Sequence, residues 1–257
     1  CKPLMIYGKN MENKNTQFKY SKDFKYLKIK PNKYDVDSFN FKDDSFIALD
    51  NFLDDDLYEE IRNICFKYDD FKNTITCWPT PLYKDTYDSS DVIQENNILV
   101  SRVTFYLDRI AIEDEFLELM ESDIKDKKLL KIFKVMKKYL NKLVELIEKT
   151  APSDKQVDKN TLRVQIYKWP ENSSIFWHDD GGWSYGFSYY LNEYWGPNWG
   201  GDLLVGTKHF LQTVKNRLAV VNGPMSHRVT PIQKGAPDRI TLQAFTTYKK
   251  YHPSKNI

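Results

Sequence analysis

The sequence predicts an α+β protein whose second half forms a double-sheet jelly roll, braced by helices from its first half. Up to about residue 150, two segments place apolar side chains at helical spacing. After Pro152 the chain changes to short runs of β-branched and aromatic residues that alternate with Gly, Pro and Asn turns. Helices followed by a series of short strands are typical of an α+β chain that ends in a sandwich or barrel.

The length predicts one large domain with an extension, because the chain has 257 residues and single cores stop growing at about 250–300 residues. Residues 1–44 are polar and lack clear periodicity, so we expect an N-terminal extension there. Residues 45–257 are expected to form a single domain. Within it, helical support is expected over about 45–150 and the jelly-roll core over about 160–250.

The first half is expected to contain a strand, a helix, a loop and a second helix. Residues 45–53 predict a short strand, and residues 54–68 place apolar side chains at helical spacing behind an acidic first turn. Residues 69–91 combine prolines with small polar residues, which is typical of a loop, and such a loop could rim a pocket. Residues 126–150 predict the clearest helix, apolar on one face and rich in Lys on the other.

Six β-type runs predict the strands of the jelly roll. They lie at residues 161–169, 186–194, 201–210, 217–223, 227–232 and 239–251. Gly200 and Gly201 lie at the start of the third run, just before Asp202, and are expected to form a tight turn, since glycine adopts positive φ without strain.

The charge and hydropathy patterns argue against two classes of partner. Net charge is +2 with the two signs interspersed, so there is no basic stripe and we expect no nucleic-acid partner. No run of about 18 apolar residues is present, and the N-terminus lacks the pattern of a secretory signal, so we expect a soluble cytoplasmic protein without a membrane segment. The sequence makes no prediction of oligomeric state.

The cysteines do not predict a structural site. Cys1, Cys65 and Cys77 form a sparse set without CxxC spacing, so neither a disulfide framework nor a zinc ribbon is indicated.

Two of the four histidines have surroundings that suggest a metal site. In IFWHDDGG, His178 and Asp180 are two residues apart, and in an extended strand such side chains point to one face and can meet at one ion. Asp179 is expected to point away. With 36 acidic residues among 257, a carboxylate follows a histidine at this spacing by chance about one time in seven, so this pair alone is weak evidence.

The remaining residues strengthen this interpretation. His227 begins another β-type run, and Arg239 and Thr241 share a face of the last one. Two neutral imidazoles and one carboxylate leave three positions of an octahedron open, the arrangement associated with non-haem iron(II) that binds a chelating cosubstrate together with dioxygen. The catalytic zinc site of a hydrolase, by contrast, needs only one open coordination position. His209 and His252 fit no ligand spacing.

In order and spacing, these segments resemble the 2-oxoglutarate/Fe(II) dioxygenases of the prolyl hydroxylase type. The resemblance extends from about residue 45 and is most specific over 160–250. It rests on LRVQIYKWPENSSIFWHDD, SYYLNEYWGPNWGGDLLV, NRLAVVNGPMSHRV and RITLQAF. The first matches a Tyr-containing strand that leads into HxD, and the last two match the strands of the distal histidine and of the cosubstrate arginine.

The resemblance implies a double-stranded β-helix (jelly roll) with His178, Asp180 and His227 as the iron ligands. It makes Arg239 the cation that pairs with the distal carboxylate of 2-oxoglutarate, for which a planar guanidinium is well suited. Further cosubstrate contacts are expected from three residues: Thr241, Tyr189 and Tyr167. The alternative for both tyrosines is plain packing, because strands favour aromatic residues.

Arg228 is a competing cation, but it directly follows His227, so strand alternation should direct it to the opposite face. The interval between His227 and Arg239 is longer than in the compact form of the pattern and leaves room for a loop.

The implied activity is hydroxylation of an aliphatic carbon of an amino acid, free or bound in a peptide or protein and proline-like, with release of succinate and CO2. The implied cofactor is Fe(II), with 2-oxoglutarate and O2 as cosubstrates and ascorbate as a candidate additional reductant. A small natural-product metabolite is an alternative substrate. A cupin-like metalloenzyme would need the three ligands but not Arg239, and a non-catalytic binding jelly roll would need neither.

Aromatic and acidic residues around the HxD segment either line a substrate mouth or pack on the outer sheet. They are Trp177, Asp179, Trp183, Tyr185, Trp195 and Trp199.

Overall fold

The computed structural model describes residues 46–76, 94–151, 155–206 and 209–248, without the side chains of 74–76, 94–96 and 113. The expected extension at 1–44, Cys77 and His252 lie outside these ranges, as does most of the expected loop at 69–91. The described part contains two α-helices, α1 (Asp55–Phe66) and α2 (Lys127–Thr150). It also contains fourteen strands: β1 (Phe46–Leu49), β2 (Phe71–Thr76), β3 (Gln94–Ser101), β4 (Val103–Tyr106), β5 (Arg109–Ile112), β6 (Leu117–Met120), β7 (Arg163–Trp169), β8 (Ile175–His178), β9 (Tyr185–Tyr190), β10 (Leu203–Val205), β11 (His209–Leu211), β12 (Leu218–Asn222), β13 (His227–Val229) and β14 (Arg239–Thr246).

The strands form two antiparallel sheets of different size. The large sheet has ten strands, with the order β1-β12-β9-β14-β7-β4-β5-β6 and with β2 and β3 joined to it through β7. The small sheet has four strands in the order β11-β10-β13-β8. The apolar cluster that lies between the sheets contains side chains from both of them. This jelly-roll-like arrangement confirms the β-rich part of the fold prediction.

The expected brace of N-terminal helices is not supported. The described part of residues 46–150 contains only two α-helices, whereas all six of its strands, β1 to β6, belong to the large sheet. Strand β2 also begins inside the segment that was expected to be a loop. β4 and β5 form a hairpin, joined by two residues between short apolar runs, VTFY and RIAI. Such short runs have too little periodicity to distinguish strand from helix.

Each helix begins at an aspartate cap. The carboxylate of Asp54 accepts a hydrogen bond from the amide of Leu57 at 2.9 Å, and that of Asp126 accepts from the amides of Lys128 and Leu129. The apolar faces of α1 and α2 join one core cluster with the facing side of the large sheet. No helix in the described ranges combines the length and apolar character needed to cross a membrane.

Side-chain alternation divides the large sheet into two faces. On β12, Leu218 and Val220 belong to the core cluster that contains the helices, whereas Ala219 and Val221 belong to the cluster between the two sheets. On β14 the first face bears the apolar residues Ile240, Leu242 and Ala244. The residues between them, starting with Arg239, therefore point toward the small sheet.

Asn216 fixes the turn before β12. Its side-chain oxygen accepts hydrogen bonds from the amide of Leu53 at 3.0 Å and the hydroxyl of Tyr189 at 2.6 Å, and its amide nitrogen donates to the carbonyl of Leu53 at 2.8 Å. Asn216 is 1% exposed and has a φ of 54°. One side chain thereby ties the segment before α1 to the centre of the large sheet.

Replacement of Asn216 by Ala should lower the free energy of unfolding by about 3 kcal/mol or more, because three buried polar groups lose their partner. Asn172→Ala is the matched control, since Asn172 is exposed at a φ of 66°. It should cost about 1 kcal/mol from backbone strain alone. Urea denaturation followed by circular dichroism measures both, and equal losses would show that the hydrogen bonds of Asn216 add nothing.

Candidate metal centre

His178 and His227 are direct cross-strand partners at the edge of the cavity between the sheets. His178 ends β8 and His227 begins β13, and their ring centroids lie 4.2 Å apart. The next pair in the register is Ile175 with Val229, so β8 has one more residue than β13 over this interval. This irregularity is a β-bulge, and it turns both Ile175 and His178 toward the interior.

Asp180 approaches the histidines from the turn that follows β8 rather than from the strand itself. Its amide donates to the carbonyl of Gly223 at 2.8 Å, and its carbonyl accepts from the amide of Trp183 at 2.6 Å. The carboxylate of Asp179 instead accepts from the amide of Gly181. The two residues that the sequence pairs do lie close together, but a turn rather than strand alternation brings them together.

The three side chains present a compact set of ligand atoms. The carboxylate oxygens of Asp180 lie 3.9 Å from Nε2 of His178 and 3.6 Å from Nε2 of His227. The potential ligand atoms all lie within 4.8 Å of one another. In the described ranges, this is the one group of three or more His, Cys, Asp or Glu residues with such an arrangement.

Backbone carbonyls orient both imidazoles. Nδ1 of His178 lies 2.8 Å from the carbonyl of Phe176, and Nδ1 of His227 lies 2.9 Å from the carbonyl of Met225. A carbonyl can only accept, so each Nδ1 holds the proton and donates it. The lone pair of each Nε2 then faces Asp180, the tautomer that a metal ligand requires.

Burial shifts the protonation of all three groups. Desolvation lowers the pKa of His178, and the nearby His227 lowers it further. Desolvation likewise lowers the pKa of His227 and raises the pKa of Asp180 to about 6. The imidazoles are therefore neutral near pH 7, and the buried carboxylate lacks a compensating positive charge from them. A divalent cation would supply that charge.

Two glycines make room for the turn that carries Asp180. A Cβ on Gly186 would lie 2.8 Å from a carboxylate oxygen of Asp180, and a Cβ on Gly223 would lie 1.7 Å from the carbonyl oxygen of Trp183. Sequence reasoning missed both residues. A glycine in the interior of a strand often marks a close approach of another group, and this is the signal that could have identified Gly186.

The three residues lie on the wall of a cavity of about 270 Å³ between the two sheets. The large sheet contributes polar side chains to the opposite wall, including those of Ser188 and Gln243, which share a hydrogen bond of 2.8 Å. Aromatic rings of Tyr167 and Trp169 complete this side. The cavity therefore combines one potential metal centre with a mostly apolar lining that carries a few polar side chains.

Arg239 lies on the same sheet face but is 1% exposed and does not line the cavity. Its guanidinium donates to the carbonyl of Gly201 and lies beside the ring of Trp169, 4.2 Å from the ring centroid. Burial lowers the pKa of Arg239 to about 10, with Tyr190 and Asp202 opposing the shift. The guanidinium thus remains charged at neutral pH.

The glycine pair before β10 shapes the surroundings of Arg239. Gly200 and Gly201 have φ values of 66° and 70°, as expected for the turn. A Cβ on Gly201 would lie 2.9 Å from Nη1 of Arg239. Burial raises the pKa of the adjacent Asp202 to about 6, and Arg239 opposes that shift. The turn therefore contributes to the arginine site as well as to the fold.

Thr241 and Tyr167 both lie on the face that the sequence predicts. The hydroxyl oxygen of Thr241 accepts from Nε1 of Trp169 at 2.9 Å and from Nε2 of Gln243 at 3.1 Å. The hydroxyl proton of Thr241 is therefore available for a further hydrogen bond. Tyr167 is half-buried in the cavity wall, with its ring centroid 6.1 Å from that of Trp169.

Tyr189 was expected to contact the cosubstrate, with plain packing as the alternative, and it lies on the face that packs against the helices. Its ring packs 5.3 Å from that of Tyr139 in α2, and its hydroxyl donates to Asn216, so it does not reach Arg239. The residue near the arginine is Tyr190, whose ring centroid lies 5.8 Å from the guanidinium carbon. The alternation of β9 contains the missed signal, because Tyr189 shares its face with Phe187, whereas Tyr190 shares its face with Ser188.

The remaining aromatic candidates separate into cavity and packing roles. Trp183 lines the cavity, whereas Trp177 packs against Arg228, whose guanidinium carbon lies 5.6 Å from the indole centroid. Trp195 and Trp199 pack edge to face with centroids 5.3 Å apart. Tyr185 belongs to the core cluster of the helices.

His209 lies on β11, with its ring 5.8 Å from that of Phe46, and it is not part of the His–Asp–His cluster.

Gly186→Ala should weaken Fe(II) binding roughly 10- to 100-fold, as is typical when a group that positions a ligand is disturbed. The added methyl group would displace the carboxylate of Asp180. Gly182→Ala is the matched control, because a Cβ there meets nothing within 4 Å. Anaerobic calorimetric titration with Fe(II) compares the two folded variants, and equal affinities would contradict the positioning role of Gly186.

No family model matches this sequence, and no curated protein has a significant sequence match to it. Three solved structures nevertheless resemble it over most of their length. A prolyl hydroxylase from Trichoplax adhaerens, in complex with an oxygen degradation domain peptide fragment of hypoxia inducible factor, has a TM-score of 0.56 at 14% identity, over 80% of this chain and 85% of that one.

A prolyl-4-hydroxylase from Pseudomonas putida has a TM-score of 0.52 at 15% identity, over 79% of this chain and 92% of that one. A 2OG-Fe(II) oxygenase family protein from Burkholderia pseudomallei has a TM-score of 0.53 at 12% identity, over 79% of this chain and 84% of that one. Identities this low establish a common fold. The chain therefore has the prolyl hydroxylase-like fold of the 2OG-Fe(II) oxygenases.

Proposed function

We propose that this protein is an Fe(II)/2-oxoglutarate-dependent oxygenase. Its reaction hydroxylates an aliphatic carbon of an amino acid, free or bound in a peptide or protein and proline-like, with release of succinate and CO2. The supporting observation is the cluster of His178, Asp180 and His227 on the wall of a cavity, with their ligand atoms within 4.8 Å of one another. Two imidazoles and one carboxylate are the donor set that suits non-haem Fe(II) with open positions.

Fe(II), when bound with 2-oxoglutarate and dioxygen, supplies the oxidising chemistry, while the protein supplies position and surroundings. His178, Asp180 and His227 would hold the metal through Nε2, a carboxylate oxygen and Nε2. The backbone carbonyls that fix the two Nδ1 protons keep the imidazoles in the correct tautomer. The enclosing walls between the sheets limit access of water to the centre.

Arg239 is the proposed partner of the distal carboxylate of 2-oxoglutarate. Its Nε is buried without a hydrogen-bond partner among the described residues, and an unpaired buried donor is unfavourable. The hydroxyl proton of Thr241 is not used in its hydrogen bonds with Trp169 and Gln243. Thr241 is two residues after Arg239 and therefore lies on the same face of β14. Together they offer donors to a carboxylate, whereas a cupin-like enzyme without 2-oxoglutarate would not need the arginine.

The neighbours and the size of the cavity support the proposed substrate class. One structural neighbour is a prolyl hydroxylase in complex with a peptide fragment, and another is a prolyl-4-hydroxylase. These support an amino-acid carbon as the target. The cavity of about 270 Å³ also suits a small natural-product metabolite, which is the alternative substrate.

Anaerobic addition of Fe(II) and 2-oxoglutarate to the full-length protein should produce the weak visible charge-transfer band of the chelate. His178→Ala and His227→Ala should abolish the band, because each removes a ligand. His209→Ala should retain it, since that imidazole lies outside the cluster. Visible absorption titration provides the measurement. Absence of the band from the unaltered protein at saturating concentrations would overturn the proposed function.

Arg239→Met should weaken 2-oxoglutarate binding about 10- to 100-fold, because a charged hydrogen-bonding partner is lost, while Fe(II) affinity is retained. Arg228→Met is the matched control, because Arg228 packs on Trp177 rather than beside Trp169. Titration of the visible band with 2-oxoglutarate gives its affinity, and calorimetry with Fe(II) shows whether the centre is intact. Unchanged 2-oxoglutarate affinity would favour the cupin-like alternative.

A further inference from the structure

Arg163 is a second arginine on the inner face of the large sheet, at the opposite end from Arg239. It lies at the start of β7 and pairs in register with Phe245 on β14, whereas Arg239 pairs with Trp169 at the other end. The six-residue separation of Arg239 and Phe245 corresponds to roughly 20 Å along an extended strand. Arg163 lines the cavity and Arg239 does not.

The end that contains Arg163 is also the end near Asp180. Gly186, Phe245 and Arg163 form one row across β9, β14 and β7. The carboxylate of Asp180 lies directly over Gly186. Two strand spacings separate the backbone of Gly186 from that of Arg163, about 10 Å. A molecule held by the guanidinium of Arg163 would therefore place its nearest carbon atoms close to the metal centre.

The guanidinium of Arg163 is held by stacking but is not neutralised. Its central carbon lies 4.5 Å from the centroid of Trp183, and among the described residues it forms no ion pair. Its Nε is buried without a hydrogen-bond partner in those same ranges. Arg217 shows the contrasting case, because Asp50 accepts hydrogen bonds from its Nε and Nη2 at 2.5 and 2.9 Å. Stacking on one face leaves the N–H edge of Arg163 available to an anion.

The surroundings of Arg163 suit a carboxylate attached to a small apolar group. The rings of Trp183 and Phe245 lie 5.8 Å apart and both line the cavity. Gln243 adds an amide group to the same cavity wall. The cavity of about 270 Å³ must contain the cosubstrate as well, so the remaining space suits a molecule of amino-acid size.

Building on the proposed function, we propose that Arg163 binds a carboxylate of the substrate, stacked by Trp183, and so selects acids over their neutral analogues. A free amino acid and the C-terminal residue of a peptide offer the same group. Arg163 thereby determines specificity at one end of this sheet face, while Arg239 serves the cosubstrate at the other end. A bidentate guanidinium–carboxylate pair provides both the affinity and the orientation.

The test compares carboxylic acids with their amides in the full-length protein. Succinate release is measured in the presence of Fe(II), 2-oxoglutarate, O2 and ascorbate, with each free L-amino acid, its amide, and glycyl dipeptides that end in a free or amidated carboxyl group. At least one acid should stimulate release, and its amide should be much weaker. Stimulation by dipeptide acids but not by free amino acids would identify a peptide terminus as the source of the carboxylate.

Arg163→Gln should raise the KM for the stimulating acid about 10- to 100-fold, with a smaller effect in Arg163→Lys, because a charged hydrogen-bonding partner is lost or only partly replaced. Arg102→Gln is the matched control, since the Arg102 side chain is 47% exposed and pairs with Asp70 and Asp114. Calorimetry of the acid with metal-free protein gives an independent affinity. The visible Fe(II)/2-oxoglutarate band should persist in all three variants.

Three results would overturn the inference while leaving the proposed function intact. They are equal stimulation by acids and amides, an unchanged KM in Arg163→Gln, and no stimulation by any acid in a protein that forms the visible band. Absence of the band from the unaltered protein would instead overturn the proposed function, and this inference with it.

Discussion

Side-chain alternation along the three central strands β9, β14 and β7 is the constraint on which the rest of the structure depends. One face of these strands packs against the helices through apolar residues such as Phe187, Leu242 and Ile166. The burial of this face fixes the register, because a slip of one residue would move every apolar side chain to the wrong side. The opposite face is thereby fixed as well, so Arg239 and Arg163 are held at opposite ends of that face, Arg163 on the cavity wall and Arg239 buried outside the cavity lining.

The metal centre depends on local irregularities imposed on this regular frame. A bulge in β8 turns His178 inward opposite His227, and a turn rather than a strand delivers Asp180. Gly186 supplies the space that the carboxylate fills. Because both imidazoles donate to backbone carbonyls, their orientation is set by the main chain itself. Because the histidines lie on rigid strands and their tautomers are fixed, the ligands are already oriented for a metal ion and need not rearrange around it.

The sequence predicted which residues lie together better than it predicted how they are brought together. His178, Asp180 and His227 could be found because their residue types and order are chemically specific, and the structure brings them together. Tyr189 rather than Tyr190 was expected near the cosubstrate because adjacent tyrosines differ only in strand phase, which is fixed by packing against the helices. The strands between α1 and α2 were missed because short apolar runs lack a distinguishing period. The bulge in β8 depends on cross-strand pairing and has no local signature.

Charge balance relates the two arginines to the proposed reaction. In the loaded centre, the charge of a divalent cation would be offset by Asp180 and by the two carboxylates of 2-oxoglutarate, with one negative charge in excess. The positive charge of Arg239 compensates that excess. The negative charge of the adjacent Asp202 carboxylate then returns the net charge to minus one. The carboxylate of a substrate would add a further negative charge and would then be repelled in a cavity of low dielectric. Arg163 provides a positive charge at the end of the sheet face where the substrate carboxylate is proposed to bind. An acidic substrate therefore becomes favourable only with this residue in place.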